Sequence, residues 1–191
     1  MAGAIILAGG KNERTGQNKA LFELADKPLI ELIINKLRQL FNNIYLVTPN
    51  PEEYHFLNDI NIVPDLLPQK NVLEAIYSGL SASKDEDNFV CACDMPYLNL
   101  RLINYLFEIK GHFDAVVPTI NHKIVTLHTI YSKSCISVIE KNINKKKVSN
   151  VLRDLNVKYV PQEALVTEDP NLLSFFHIKT YLDYMIVQKD F

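Results

Sequence analysis

AIILAGGKNERTGQNKAL, residues 4–21, sets a short apolar run directly against a loop that carries two adjacent glycines and closes on a lysine. Ala4 to Leu7 is short and continuously apolar, as in a strand buried on both faces. Gly9-Gly10 lets backbone amides approach a ligand with no Cβ in the way and permits positive φ, which a phosphate cradle requires. From Lys11 to Lys19 there are three cations (Lys11, Arg14, Lys19) against one anion (Glu13), a local charge of +2. That complement suits a triphosphate. No Gly-Lys-Ser/Thr follows and GxGxxG is absent, which excludes the Walker A and dinucleotide fingerprints. The loop alone also reads as a tight turn with solvated charges, since turns favour these residue types.

Working outward, the pattern of strand, loop and helix repeats. Apolar residues at Leu29, Ile30, Ile33, Ile34, Leu37, Leu40 and Phe41 predict a one-sided helix after Pro28. Strands are expected at Ile44–Val47, Ile60–Val63, Phe89–Cys93 and Phe113–Val117. Helices are expected at Asn71–Ala82 and Leu98–Ile109, with a short one at Glu52–Leu57. Lys84–Asp87 reads as a charged surface turn. Lys123–Tyr131 suits an antiparallel strand or hairpin. Helices at Ser132–Asn142 and Val148–Leu155, a strand at Lys158–Pro161 and a closing helix from about Thr180 complete the chain. Near-continuous apolar strands alternating with amphipathic helices define an α/β fold: a single Rossmann-like domain over 1–191. Its mostly parallel sheet has helices on both faces and an added antiparallel strand or hairpin.

The 191 residues suffice for one domain with a substantial core. Twenty Lys+Arg against 22 Asp+Glu leave a net charge of −2, so no global field recruits nucleic acid or an anionic membrane. No apolar run reaches the roughly 18 residues of a membrane span, and MAGAIILAGG lacks the basic flank of a signal peptide. A cytoplasmic location is expected. Cys91, Cys93 and Cys135 are odd in number, so disulfides are not expected. Cys91 and Cys93 share a strand face, read as buried core, with a metal or redox role as the alternative.

In an open parallel sheet, ligands bind at the carboxyl ends of the strands. Four polar features fall there: Gly9-Gly10, Asn50, Asp65 and Asp94. Asp94 follows a buried strand and precedes Met95-Pro96. Such a carboxylate can hold Mg²⁺ against phosphate oxygens, or cap a helix.

LAGGKNERTGQNKAL resembles the nucleotidyltransferase loop LAGGxSxRMGxxKxL, with Leu7, Ala8, Gly9, Gly10, Arg14, Gly16 and Lys19 in register. CDMPYL (Cys93 to Leu98) resembles that superfamily's metal-binding strand end. PLIELIINKL, EAIYSGL, DAVVP, TLHTIY and FFHIKT extend the likeness over nearly the whole chain, and the pattern is most similar to the MobA family of molybdenum cofactor guanylyltransferases. The resemblance implies Mg²⁺-dependent transfer of GMP from GTP to molybdopterin or its molybdenum-bearing form, with release of pyrophosphate. It implies that Leu7, Ala8, Gly9, Gly10 and Asn50 contact the nucleotide and that Arg14 and Lys19 hold its phosphates. Asp65 would lie by guanine and Asp94 would hold Mg²⁺. Other molybdenum cofactor proteins are candidate partners. A cytidylyl- or sugar-phosphate nucleotidyltransferase, and a non-catalytic nucleotide- or partner-binding relative, are the alternatives.

Several positions depart from the family pattern. Thr15 replaces Met, Asn18 replaces an acidic residue, and Thr126 replaces Pro. Asn71-Val72-Leu73-Glu74-Ala75 replaces Gly-Pro-Leu-x-Gly, removing both glycines. His177-Ile178-Lys179-Thr180 replaces Asn-x-Asn-Thr. An ammonium cannot ligate Mg²⁺ but pairs with phosphate, so Lys179 is expected to alter how the acceptor or a second metal is held. His177 reads as a surface or half-buried imidazole, and His128 as either packed or facing the pterin. Lys145–Lys147 reads as a solvated turn, with recruitment of the pterin phosphate as its functional alternative.

Overall fold

Alternation along the first strand, β1 (Ala2–Leu7), sends its side chains into two separate cores. Ala4 and Ile6 pack with Leu29, Ile30, Ile33 and Leu37 of helix α1 (Leu29–Leu37). Ile5 and Leu7 pack with Leu73, Ile76 and Leu80 of helix α2 (Val72–Ala82) on the opposite face. In the computed structural model the described residues are 2–9, 18–65, 71–145 and 147–191.

Between β1 and α1, a small hairpin pairs β2 (Glu23–Leu24) with β3 (Lys27–Pro28). The strands β4 (Asn43–Thr48), β5 (Asn61–Pro64) and β6 (Asp87–Ala92) follow, with α2 between β5 and β6. Helix α3 (Leu100–Glu108) leads to β7 (Ala115–Ile120), β8 (Lys123–Ile124) and β9 (Thr129–Ser132). Helices α4 (Cys135–Lys141) and α5 (Val148–Val151), strand β10 (Val157–Val160) and helices α6 (Gln162–Glu168) and α7 (Tyr181–Val187) complete the order. The sheet runs β10-β7-β9-β6-β1-β4-β5, with β8 on β7. β1 is parallel to both β4 and β6, and β5 is parallel to β4. The expected mostly parallel sheet with helices on both faces is present.

The antiparallel addition is placed more deeply than an appended hairpin. β9 lies between β6 and β7 and is antiparallel to both, while β8 pairs with β7. Lys84–Asp87 is also no simple surface turn. Asp85 is buried and accepts from Asn43 Nδ2 at 2.8 Å, and Asp87 opens β6 and pairs with Lys110 at 3.0 Å. This polar knot leaves no room at Gly3, where a Cβ would meet Asn88 Oδ1 at 2.8 Å and Asp85 Oδ2 at 2.9 Å. The predicted Ser132–Asn142 helix starts only at Cys135, because Ser132 ends β9. The hairpin β2–β3 and helix α6 have no counterpart in the sequence reading. All three cysteines are free and buried. No helix among the described residues is long and apolar enough to cross a membrane.

Gly79 fixes how closely α2 lies on the sheet: a Cβ there would stand 2.5 Å from Ile5 Cγ2 and 3.1 Å from Val47 Cγ2. Gly79→Ala gains about 1 kcal/mol of helix propensity but incurs overpacking of about 1–3 kcal/mol. We expect a net destabilisation of about 1–2 kcal/mol, read as a lower urea midpoint at unchanged m-value.

Candidate functional site

The carboxyl ends of β1, β4, β5 and β6 open into one pocket of about 310 Å³. Leu7, Gly9, Lys19, Pro49 and Asp65 line it with Asn71, Val72 and Ala75 from the start of α2. Ala92, Cys93 and Asp94 form its β6 side, and Leu127 and His177 approach from beyond β6.

Asp94 is the electrostatic centre. Lys19 Nζ lies 3.1 Å from its Oδ2, and His177 Nδ1 lies 2.7 Å from its Oδ1. The carboxylate side chain is only 13% exposed. Burial alone would raise its pKa, but the hydrogen bond and charge of His177, then Lys19, outweigh burial and bring it below the ordinary carboxylate value. Asp94 is therefore an anion at neutral pH.

Each partner is placed by its own scaffold. Lys19 begins a 3₁₀ turn (Lys19–Leu21) capped by Asn18, whose Oδ1 accepts from Ala20 N at 3.0 Å. Asn18 Nδ2 donates to Glu53 Oε2 and to the Tyr54 hydroxyl, both at 2.7 Å. The Asn18 amide thus ties the end of the loop to the turn after β4. Tyr54 is fully buried, and burial pushes its hydroxyl pKa up to about 12, so it stays a neutral hydrogen-bonding post. His177 is placed by the chain after α6: Ile178 N donates to Asp94 O at 2.9 Å, and the Ile178 side chain is buried. Tyr97 packs on Phe176 with ring centroids 5.7 Å apart. Ser174 Oγ accepts from Asn99 N at 2.9 Å.

Of the residues singled out in the sequence, Leu7, Gly9, Lys19, Asp65 and Asp94 come together around the pocket. Among the described residues the nearest neighbour to a Cβ added at Gly9 is Pro49 Cδ at 3.8 Å. Asp65 Oδ1 accepts from Ser78 Oγ at 3.2 Å. Ala8 is buried behind the pocket, its N–H bonded to Val47 O at 2.8 Å. Asn50 does not line the pocket; its Nδ2 donates to Glu53 Oε1 at 3.0 Å, and Pro49 takes the lining position. Gly10 and Arg14 lie outside the described residues, as do Lys11, Thr15, Gly16 and Lys146. Lys147 is exposed.

Lys179 stands just before helix α7. Its side chain is exposed and does not line the pocket, while its backbone N–H donates to Asp183 Oδ2 at 3.0 Å at the cap of α7. His177 is the residue of that block that reaches Asp94. The available signal was a polar donor standing where the family has asparagine. At the first turn of α2, Asn71 caps Glu74 N at 3.1 Å, yet Asn71 Nδ2 and Glu74 Oε2 are buried without a hydrogen-bond partner among the described residues. These orphans are an unmet hydrogen-bonding demand beside the pocket.

The donor set fits a small, hard divalent cation. Asp94 offers ionised carboxylate oxygen, and the ammonium of Lys19 shows that positive charge is stabilised against it. Among the described residues no three His, Cys, Asp or Glu side chains group to hold a metal. An ion here would take most ligands from phosphate and water, as Mg²⁺ does.

A glycine loop, a lysine and a strand-end carboxylate over an open parallel sheet define a site of the nucleotidyltransferase class. The MobA-like NTP transferase domain model matches residues 4–160. A probable molybdenum cofactor guanylyltransferase of Peptoclostridium acidaminophilum is 33% identical over 186 residues, covering 93% of this chain and 84% of that protein. Molybdopterin-guanine dinucleotide biosynthesis protein A of Archaeoglobus fulgidus superposes with a TM-score of 0.84 at 26% identity, covering 98% of this chain and 97% of that one. A 4-diphosphocytidyl-2C-methyl-D-erythritol synthase from Anaerococcus prevotii shares the fold, with a TM-score of 0.72 at 18% identity over 99% of this chain and 97% of that one. The chain belongs to the MobA-like NTP transferase family.

His128 takes the packed alternative. Fully buried at φ +69°, it meets Phe89 edge-on at 4.9 Å and Phe175 at 4.8 Å, and neither ring nitrogen has a side-chain partner among the described residues. Burial, only partly offset by Asp169, pushes its pKa down to about 4. Between that value and about 6.5 the unfolded chain binds a proton that the folded chain refuses, so stability falls as pH drops through this window. The loss is on the order of 3 kcal/mol at most. Melting temperature followed from pH 7 to 4 should fall accordingly, and His128→Phe should flatten that part of the profile.

Proposed function

We propose that this chain is a guanylyltransferase of molybdenum cofactor maturation, one catalytic domain over 1–191 working in the cytoplasm. It transfers GMP from GTP to the terminal phosphate of molybdopterin or its molybdenum-bearing form. Other molybdenum cofactor proteins are its candidate partners. The observation that carries this reading is the ion pair of Lys19 with Asp94 on the floor of a crevice opening beside Gly9. The names of the relatives supply the base and the acceptor.

A phosphate oxygen of the acceptor attacks the α-phosphorus of GTP. A new phosphoanhydride forms as the α–β bridging P–O bond breaks, and pyrophosphate leaves with the electron pair. The nucleophile is already anionic at neutral pH, so no Ser, Cys or His base is required; charge neutralisation and alignment are. Lys19, released from Asp94, pairs with the incoming phosphates as a mobile point charge. Gly9 admits them without obstruction. Arg14 adds cationic charge from the same loop. Leu7 and Ala8 set the floor of the nucleotide half, and Asn50 flanks it. Asp65 and Asn71 provide polar groups for the base, Asn71 standing where the family has glycine. Asp94 would hold Mg²⁺, which supplies neutralisation of charge developing on the phosphate oxygens.

Calorimetric or thermal-shift titration with GTP, CTP, UTP and ATP, each with and without Mg²⁺, tests the reading. Selective Mg²⁺-dependent stabilisation by GTP is expected, since a ligand stabilises the state it binds. Preference for CTP or UTP would move the chain to the cytidylyl or sugar-phosphate class; no response to any nucleotide would mark a non-catalytic relative. Asp94→Ala should lower GMP transfer at least about 100-fold while a cooperative melt is retained. Turnover preserved in that variant would sink the metal assignment.

A further inference from the structure

Every family motif of the nucleotide half lies before residue 160, and the family match itself ends there. The second partner of Asp94 comes from beyond that point. His177 belongs to a segment locked onto the end of β6 by independent contacts. Asn99 N donates to Ser174 Oγ at 2.9 Å, Phe176 packs on Tyr97, and Ile178 N bonds to Asp94 O at 2.9 Å. Further on, the Tyr184 hydroxyl donates to Glu23 O at 2.6 Å, and Phe22 lies against Tyr184 at 5.2 Å. The imidazole is thus carried on a fixed backbone strap, with its side chain 23% exposed.

The chemistry of the contact is asymmetric. A carboxylate only accepts, so the imidazole nitrogen 2.7 Å from Asp94 Oδ1 carries a hydrogen. Lys19 engages the other oxygen through a flexible stem. One oxygen is therefore clamped by an imidazole on a backbone-anchored segment, and the other is held by a flexible ammonium that incoming phosphates attract away. Only Oδ2 becomes free when a triphosphate arrives.

We propose that His177 is a positioning residue for the cation that accompanies the nucleotide: its Nδ1–H holds Asp94 Oδ1 so that Oδ2 faces the pocket. The proposal rests on Asp94 being the metal carboxylate. It makes the strap of residues 169–184 part of the cation site, and it assigns a role to His177 that accommodates loss of the family's asparagine. Without that clamp, the carboxylate turns both oxygens toward Lys19, and the ammonium competes with the metal.

Binding of Mn²⁺ in the presence of GTP, followed by electron paramagnetic resonance of free Mn²⁺, tests this without turnover. His177→Leu, which keeps bulk and removes the donor, is expected to weaken Mn²⁺ binding about tenfold, in the range typical for losing a hydrogen bond to a ligating group. His177→Asn, which restores an N–H at the same reach, should recover wild-type Mn²⁺ affinity within about twofold. Wild-type Mn²⁺ affinity in His177→Leu would overturn the proposal, as would an Asn variant as weak as the Leu variant. Should His177→Leu melt without cooperativity, His177→Ala with His177→Asn makes the same comparison. Absence of Mn²⁺–GTP binding by the wild-type protein would instead overturn the metal reading of Asp94, and this proposal with it.

Discussion

A charge held largely out of water is the constraint on which the structure turns. Removing Asp94 from water costs several kcal/mol unless its oxygens are paired, and its partners are drawn from 75 and 83 residues away. Lys19 arrives on the turn after the glycine loop, and His177 arrives on the strap after α6. Around them sit Asn18, Glu53 and Tyr54 on one side, and Ser174, Phe176 and Ile178 on the other. Much of the polar bonding outside the sheet serves to hold two nitrogens against one carboxylate.

The sheet supplies the rest by position alone. β6 carries Asp94 at its end and divides the crevice. β1, β4 and β5 lie to one side and present Leu7, Gly9, Pro49 and Asp65. β9 lies to the other side, and Leu127 precedes it. The pocket therefore reaches one carboxylate from both sides of β6.

The parts of this design legible in the sequence are those written locally. Period-two and period-3.6 apolar patterns located β1, α1, α2 and α3 to within a few residues. Glycine and strand-end carboxylate placed the floor of the crevice. What escaped was pairing across long sequence distances. Nothing in the run Thr126–Tyr131 says that β9 enters the middle of the sheet, and nothing near Lys84–Asp87 announces that Asn43 will bury Asp85. His177 read as a surface or half-buried imidazole and is half-buried, but its carboxylate partner escaped because that is a contact of tertiary structure. Asn50 read as a ligand because it ends a strand, whereas Glu53, three residues on, captures its amide.

The interposed β9 also carries a consequence for how the molecule assembles. β6 and β7 are parallel and joined through α3, so they are the pair that a growing sheet would close first, yet the native arrangement keeps them one strand apart. Until β9 returns from downstream, both expose unpaired edges in the most apolar part of the chain, where foreign strands can add. The late threading of one short strand into a waiting gap is a non-local event, and such events slow folding.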